Sequence, residues 1–224
     1  MILIMAYDMR EGDDLSSMRT DSFNQTEKFS KALKAIQTLH IALNDIGKNL
    51  PYLVGMAGEI HVLRELTTNA ELKNTDFHIQ ARGGQAKHDL DIIQGGQRKH
   101  IEVKTSTMKN WFETRGYGWT IQKEGQDWPP RFDILICVGI ADMTHCVNVP
   151  EFYIFKREEI NTTDVRIPGY KSVKKALHIS ETQTDFRELA QKAGFEVFSQ
   201  WERDVNLHKE QYRNHWEKLF VPCI

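Results

Sequence analysis

Two short alternating apolar runs meet at a pair of glycines, and that pattern constrains this chain more than any other. Lys87-His88-Asp89-Leu90-Asp91-Ile92-Ile93 comes first, Gln94-Gly95-Gly96-Gln97 follows, and His100-Ile101-Glu102-Val103-Lys104-Thr105-Ser106 completes the stretch. Gly-Gly between runs of period two predicts a β-hairpin with a two-residue turn. With those glycines as the turn, Asp91 faces His100 and Asp89 faces Glu102. Side chains alternate across a strand, so Glu102 and Lys104 share one face while Ile101 and Val103 take the other. Carboxylates a cross-strand distance apart repel unless a cation or a proton lies between them. A hard divalent ion, held by carboxylate oxygens and completed by phosphate oxygens, satisfies that arrangement. Asp91 lies on the same face, and a one-residue slip of the turn would change the pairing. It stays open as a rival to Asp89.

A helix upstream gives an independent signal. On a wheel of about 100° per residue, Leu53, Met56, Ile60, Val62, Leu63 and Leu66 cover one half. His61, Arg64 and Glu65 lie on the other half, and Glu59 falls in the middle of the apolar one. A carboxylate aimed at a core costs several kcal/mol unless it is paired or protonated. It is either a residue compensated by arginine or backbone donors, or part of the acidic group on the hairpin.

Asp89 followed by Glu102-Val103-Lys104 on a strand resembles the active-site signature of the PD-(D/E)xK nucleases, the superfamily of restriction endonucleases and archaeal Holliday-junction resolvases. Glu-Val-Lys alone is weak; placed after a Gly-Gly hairpin with an aspartate in register it is more specific. One departure is His88 where the family often has proline. The resemblance covers about residues 52–140. It implies a restriction-endonuclease-like core: α/β, with a central mixed β-sheet flanked by helices. In this family a glutamate on the first core helix, often in a pair such as Gly58-Glu59, reaches the metal. The resemblance further implies that Asp89 and Glu102 hold one or two Mg²⁺ ions, with Mn²⁺ able to substitute and the Val103 carbonyl a further ligand. Lys104 would orient or help deprotonate the attacking water. The implied activity is Mg²⁺-dependent hydrolysis of double-stranded DNA. A sequence-specific restriction-type homodimer comes first, because one chain supplies one site and a duplex has two strands. The alternatives are a structure-specific nuclease (a resolvase, repair or phage enzyme) and a catalytically silent nucleic-acid-binding module.

Charge and cysteine content narrow the setting. The net charge is −2 over 224 residues, so any binding to nucleic acid is expected to be local. Residues 82–131 carry nine Lys/Arg against six Asp/Glu, and three of those six are Asp89, Asp91 and Glu102. Lys87, Lys109, Arg115 and Lys123 are therefore expected phosphate contacts, with Thr105 and Ser106 as hydroxyl donors beside Lys104. Trp111, Phe112, Tyr117, Trp119 and Trp128 are interleaved with glycine and basic residues after the catalytic strand. Such aromatics stack on unpaired bases or, more often, form satellite core. His88 and His100 flank the site; neither spacing suggests zinc, and both read as neighbours rather than ligands. Three cysteines without C-x-x-C spacing indicate neither a disulfide framework nor structural zinc, and point to a reducing, cytoplasmic setting. No apolar run nears the roughly 20 residues that span a bilayer.

The remaining pattern sets out one compact α/β domain. Residues 1–50 read as an N-terminal helical extension, with a helix over 24–46 that stops at Gly47. Residues 51–160 form the nuclease core, with strands at Phe77-His78-Ile79, Trp119-Thr120-Ile121-Gln122, 132–140 and 152–155. The run 132–140 is apolar almost throughout and predicts a strand buried on both faces. Residues 161–224 read as a C-terminal helical part, with helices over 185–193 and 206–220 covering the sheet.

Overall fold

A computed structural model of the chain describes residues 22–47, 51–68, 77–81, 88–111, 114–122, 132–160, 164–165, 174–180, 205 and 207–220. Two helices come first, α1 (Ser22–Asp45) and α2 (Pro51–Thr68). The strands are β1 (His78–Ala81), β2 (Leu90–Gln94), β3 (Gln97–Thr107), β4 (Lys109–Trp111), β5 (Thr114–Gln122), β6 (Ile134–Ile140), β7 (Glu151–Lys156), β8 (Asp164–Val165) and β9 (Lys174–Ser180). They make a five-stranded sheet, β1-β2-β3-β6-β7, and a four-stranded sheet, β4-β5-β9-β8. The first is mixed: β3 and β6 run parallel, and every other neighbouring pair is antiparallel. The expected α/β fold with a central mixed sheet and helices is therefore present.

The hairpin forms in the expected register. Gln94 pairs with Gln97, Asp91 with His100 and Leu90 with Ile101. Gly95 and Gly96 have φ of 55° and 77°, the left-handed pair that a two-residue turn requires if it is to match the twist of its strands.

The apolar run of β6 is buried on both sides because it separates two cores. Ile134, Ile136, Val138 and Ile140 pack towards α1 and α2 with Leu33, Leu53, Ala57, Val62, Ile101 and Val103. Leu135 and Cys137 face the four-stranded sheet, joined there by Tyr117, Trp119, Leu177 and Ile179. β7 divides in the same way, with Phe152 and Ile154 on the helix side and Tyr153 and Phe155 on the other. The layers run helices, sheet, sheet.

That order corrects the expected cover of the second face. Strands β4, β5, β8 and β9 cover it, and the two in the 161–224 segment carry no strong alternation to mark them. The expected helix over 206–220 does not form. In its place are short 3₁₀ turns at Lys209–Gln211 and Trp216–Leu219, separated by Asn214 at φ 59°. Ile154 N–H donates to the Tyr212 carbonyl and Asn214 N–H to the Phe152 carbonyl, so this segment lies along the β7 edge and covers its backbone groups. Tyr212 stacks on Phe155 at 4.6 Å, whereas Trp216 and Leu219 enter the helix-side core. What resembles one apolar helix face is two contacts with two cores. The expected helix over 185–193 lies outside the described residues.

Candidate active site at the open end of the hairpin

The site exists because β3 outruns β2. Pairing between them ends at Leu90–Ile101, while β3 continues along β6 as far as Thr107. Just before β2 begins, Asp89 N–H still donates to the Ile101 carbonyl at 3.0 Å. Its side chain then replaces the missing strand, because Asp89 Oδ2 accepts the Val103 N–H at 2.8 Å. In a strand the N–H and C=O of one residue point to the same side, so the Val103 carbonyl is turned to the Asp89 side as well. Glu102 and Lys104, two apart on β3, form an ion pair on the face opposite Ile101 and Val103.

Glu59 comes to this group from α2. The expectation put it in the middle of the buried face and His61 on the polar side; the structure reverses the two. The buried residues of α2 are Leu53, Ala57, Gly58, His61, Val62 and Leu66, and Glu59 is exposed at the edge of that arc. The reason is the size of the contact residues. α2 meets β3 through Ala57 and Gly58, and a Cβ on Gly58 would collide with the Thr105 hydroxyl. The helix can thus sit close to the strand, while the bulkier Met56, Ile60 and Leu63 are only partly buried against the same core. His61 is fully buried and donates from Nε2 to the Cys146 carbonyl at 2.6 Å.

The electrostatics tie Glu59 to the hairpin. Although the residue is exposed at its outer edge, burial of the carboxyl and then the charges of Asp89 and Glu102 push its pKa up to about 7, with Lys104 working against them. Glu102 is also raised, by burial first and by Asp89, while Lys104 opposes the rise. Glu59, Asp89, Glu102 and Lys104 therefore share one electrostatic environment.

Other expected contacts fall elsewhere. Thr105 lies on the α2 side of β3 beneath Gly58, and its hydroxyl is buried without a hydrogen-bond partner. Ser106 is buried, donating to the Thr107 carbonyl and accepting from Gly118 N–H at 3.3 Å. Neither hydroxyl is presented to a phosphate beside Lys104. Lys109 and Arg115 are exposed on β4 and β5; Lys87 and Lys123 lie outside the described residues. Tyr117 and Trp119 are core residues, with the Trp119 indole donating to the Val138 carbonyl at 3.0 Å, so they are not stacking platforms for bases. Phe112 and Trp128 are outside the described residues.

His88 and His100, expected as neighbours of the site, gather on Asp91. Asp91 is completely buried, with His88 Nε2 and His100 Nδ1 each 2.7 Å from its Oδ1 and Arg98 Nη1 3.5 Å from its Oδ2. These His and Asp ligand atoms all lie within 4.8 Å of one another. The signal was the register itself, which sets Asp91 opposite His100, but linear spacing between the histidines hid it.

No protein-family model matches the chain, and no curated protein matches it. Among solved structures it is similar to a bacterial homing endonuclease, I-Ssp6803I, at 16% identity and a TM-score of 0.41, over 76% of this chain and 91% of that one. A likeness of that size carries no argument about chemistry.

Proposed function

We propose that the chain is a metal-dependent nuclease that hydrolyses phosphodiester bonds in double-stranded DNA. The observation that carries this reading is the shared electrostatics of four residues beside β3: Asp89 accepts the Val103 N–H, Glu102 pairs with Lys104, and the pKa values of Glu59 and Glu102 are raised with Asp89 contributing to both. Clustered carboxylates that repel one another fit a hard cation, and with the Val103 carbonyl the donor set is all oxygen, as Mg²⁺ or Mn²⁺ prefers. Asp89, Glu102 and the Val103 carbonyl would hold the ion, and Glu59 would anchor its outer shell. Such an ion supplies Lewis-acid polarisation of a phosphoryl oxygen and makes a nearby water more acidic.

The chain's own residues do the rest. Asp89 is fixed by the Val103 N–H, so its free oxygen has a defined direction. Lys104, held beside Glu102, places a positive charge where a phosphate gains negative charge during attack, and orients the water that attacks. Glu59 is half-protonated near neutral pH, which suits a group that gives up its proton when a cation arrives. Restriction-type sequence specificity and a homodimer complete the proposal.

The test is incubation of the purified chain with supercoiled plasmid, with Mg²⁺ or with EDTA. Discrete fragments with Mg²⁺ and none with EDTA are expected. A uniform smear, or cutting confined to junctions or flaps, rejects the restriction-type reading. Full cleavage by Asp89→Asn, Glu102→Gln and Lys104→Ala together rejects the nuclease reading itself.

A further inference from the structure

We infer that His88, Asp91 and His100 form a second cation site, for a divalent transition ion of the zinc class, which ties the segment entering β2 to strand β3. The inference is independent of the nuclease reading and uses a different donor set. Three observations carry it.

The first is convergence. Two imidazole nitrogens from separate segments approach the same oxygen, Asp91 Oδ1, each at 2.7 Å. Ligands on a tetrahedral zinc ion lie about 3.3 Å apart, given metal–ligand bonds of about 2.0–2.1 Å. The present spacing to Asp91 Oδ1 is shorter, so a bound ion would move both rings outward.

The second is an unsatisfied atom. His88 Nε2 is buried and 2.7 Å from Asp91 Oδ1, yet it makes no hydrogen bond. A buried imidazole nitrogen left without a hydrogen-bond partner requires an explanation, and an ion bound beside Asp91 would supply one.

The third is charge. Asp91 is fully buried and needs compensation. Arg98 lies beside Oδ2 and leaves Oδ1 to the histidines. The two imidazole rings are tilted to one another by 36°, with centroids 4.2 Å apart. Nitrogen donors select the zinc class over Mg²⁺, which prefers oxygen. His100 is partly exposed, so a water from solvent would be the fourth ligand. Bound there, the ion would link the residue before Asp89 to the residue two before Glu102.

The experiment uses the full chain carrying Asp89→Asn and Glu102→Gln, which lacks the oxygen-donor site. Titration with Co²⁺ should give a visible absorption band that saturates at one ion per chain and is displaced by Zn²⁺ but not by excess Mg²⁺. Adding His88→Gln and His100→Gln to that background should weaken Co²⁺ binding at least tenfold, with the fold checked by circular dichroism. Should the double histidine variant fail to fold, His88→Gln alone gives the same comparison. Absence of a saturable band, or unchanged affinity in the histidine variant, would overturn the inference.

Discussion

Two aspartates on one face of one hairpin, Asp89 and Asp91, have opposite surroundings. Asp89 sits where β2 has ended, tied to one backbone N–H, with Glu59 and Glu102 adding negative charge nearby. Asp91 sits inside the ladder, fully buried, with His88, His100 and Arg98 around it. The same side chain two residues apart is in one place part of an undercompensated acidic group and in the other a buried charge met by several partners. The difference lies in where the neighbouring strand stops. On the proposed reading the first group would serve the chemistry and the second would hold the hairpin together.

The largest expected contrast is in activity. Asp89→Asn, Glu102→Gln and Lys104→Ala should each lower Mg²⁺-dependent plasmid cleavage by about a hundredfold or more. Removing one of several repelling carboxylates should leave the melting temperature of the metal-free protein no lower than the parent's. A marked loss of stability in Asp89→Asn would erase the contrast with Asp91.

Asp91→Asn should do the reverse. Taking one partner out of a buried charge cluster costs roughly 3 kcal/mol, which urea unfolding would measure. An unchanged midpoint would show that Asp91 is not the stabilising member of the pair.

Titration sharpens the comparison by sign. His61, fully buried on the same helix as Glu59, has its pKa lowered to about 4, mainly by burial. The unfolded chain therefore binds the proton more tightly, so stability falls as pH drops from about 6.5 through about 4, by about 3 kcal/mol in all. His61→Gln should flatten that limb of the stability profile. Glu59, raised to about 7, works the other way: the fold holds its proton more tightly than the unfolded chain. The metal-free protein should lose stability as pH rises from about 4.5 through about 7, and Mg²⁺ should restore it. A Glu59→Gln variant that keeps the whole of this dependence would exclude Glu59 as its source.

The smallest effect lies outside both clusters. Lys109 and Arg115 are exposed on the second sheet, and replacing either by alanine should reduce the salt slope of DNA binding by about 0.9 if it neutralises one phosphate. An unchanged slope would remove that residue from the contact surface.

The sequence by itself determined what local rules govern. Gly95-Gly96 set the hairpin and its register, because φ above zero at both residues comes at no steric cost only with glycine. Alternation then placed Glu102 and Lys104 together, and the apolar run of β6 marked a strand buried on both faces. Only the tertiary structure decided the rest. Which side of α2 is inside depended on Ala57 and Gly58 approaching β3, a fit of small residues that a count of large apolar ones reverses. The segment 206–220 reads as one helix because spacing does not record that a segment can cross a sheet edge and serve two cores. The second sheet, and the gathering of His88, Asp91 and His100, depend on pairings between segments far apart or across a turn, which linear spacing does not display. Local backbone preference fixes an element, but the face it buries and the partners it meets follow from packing.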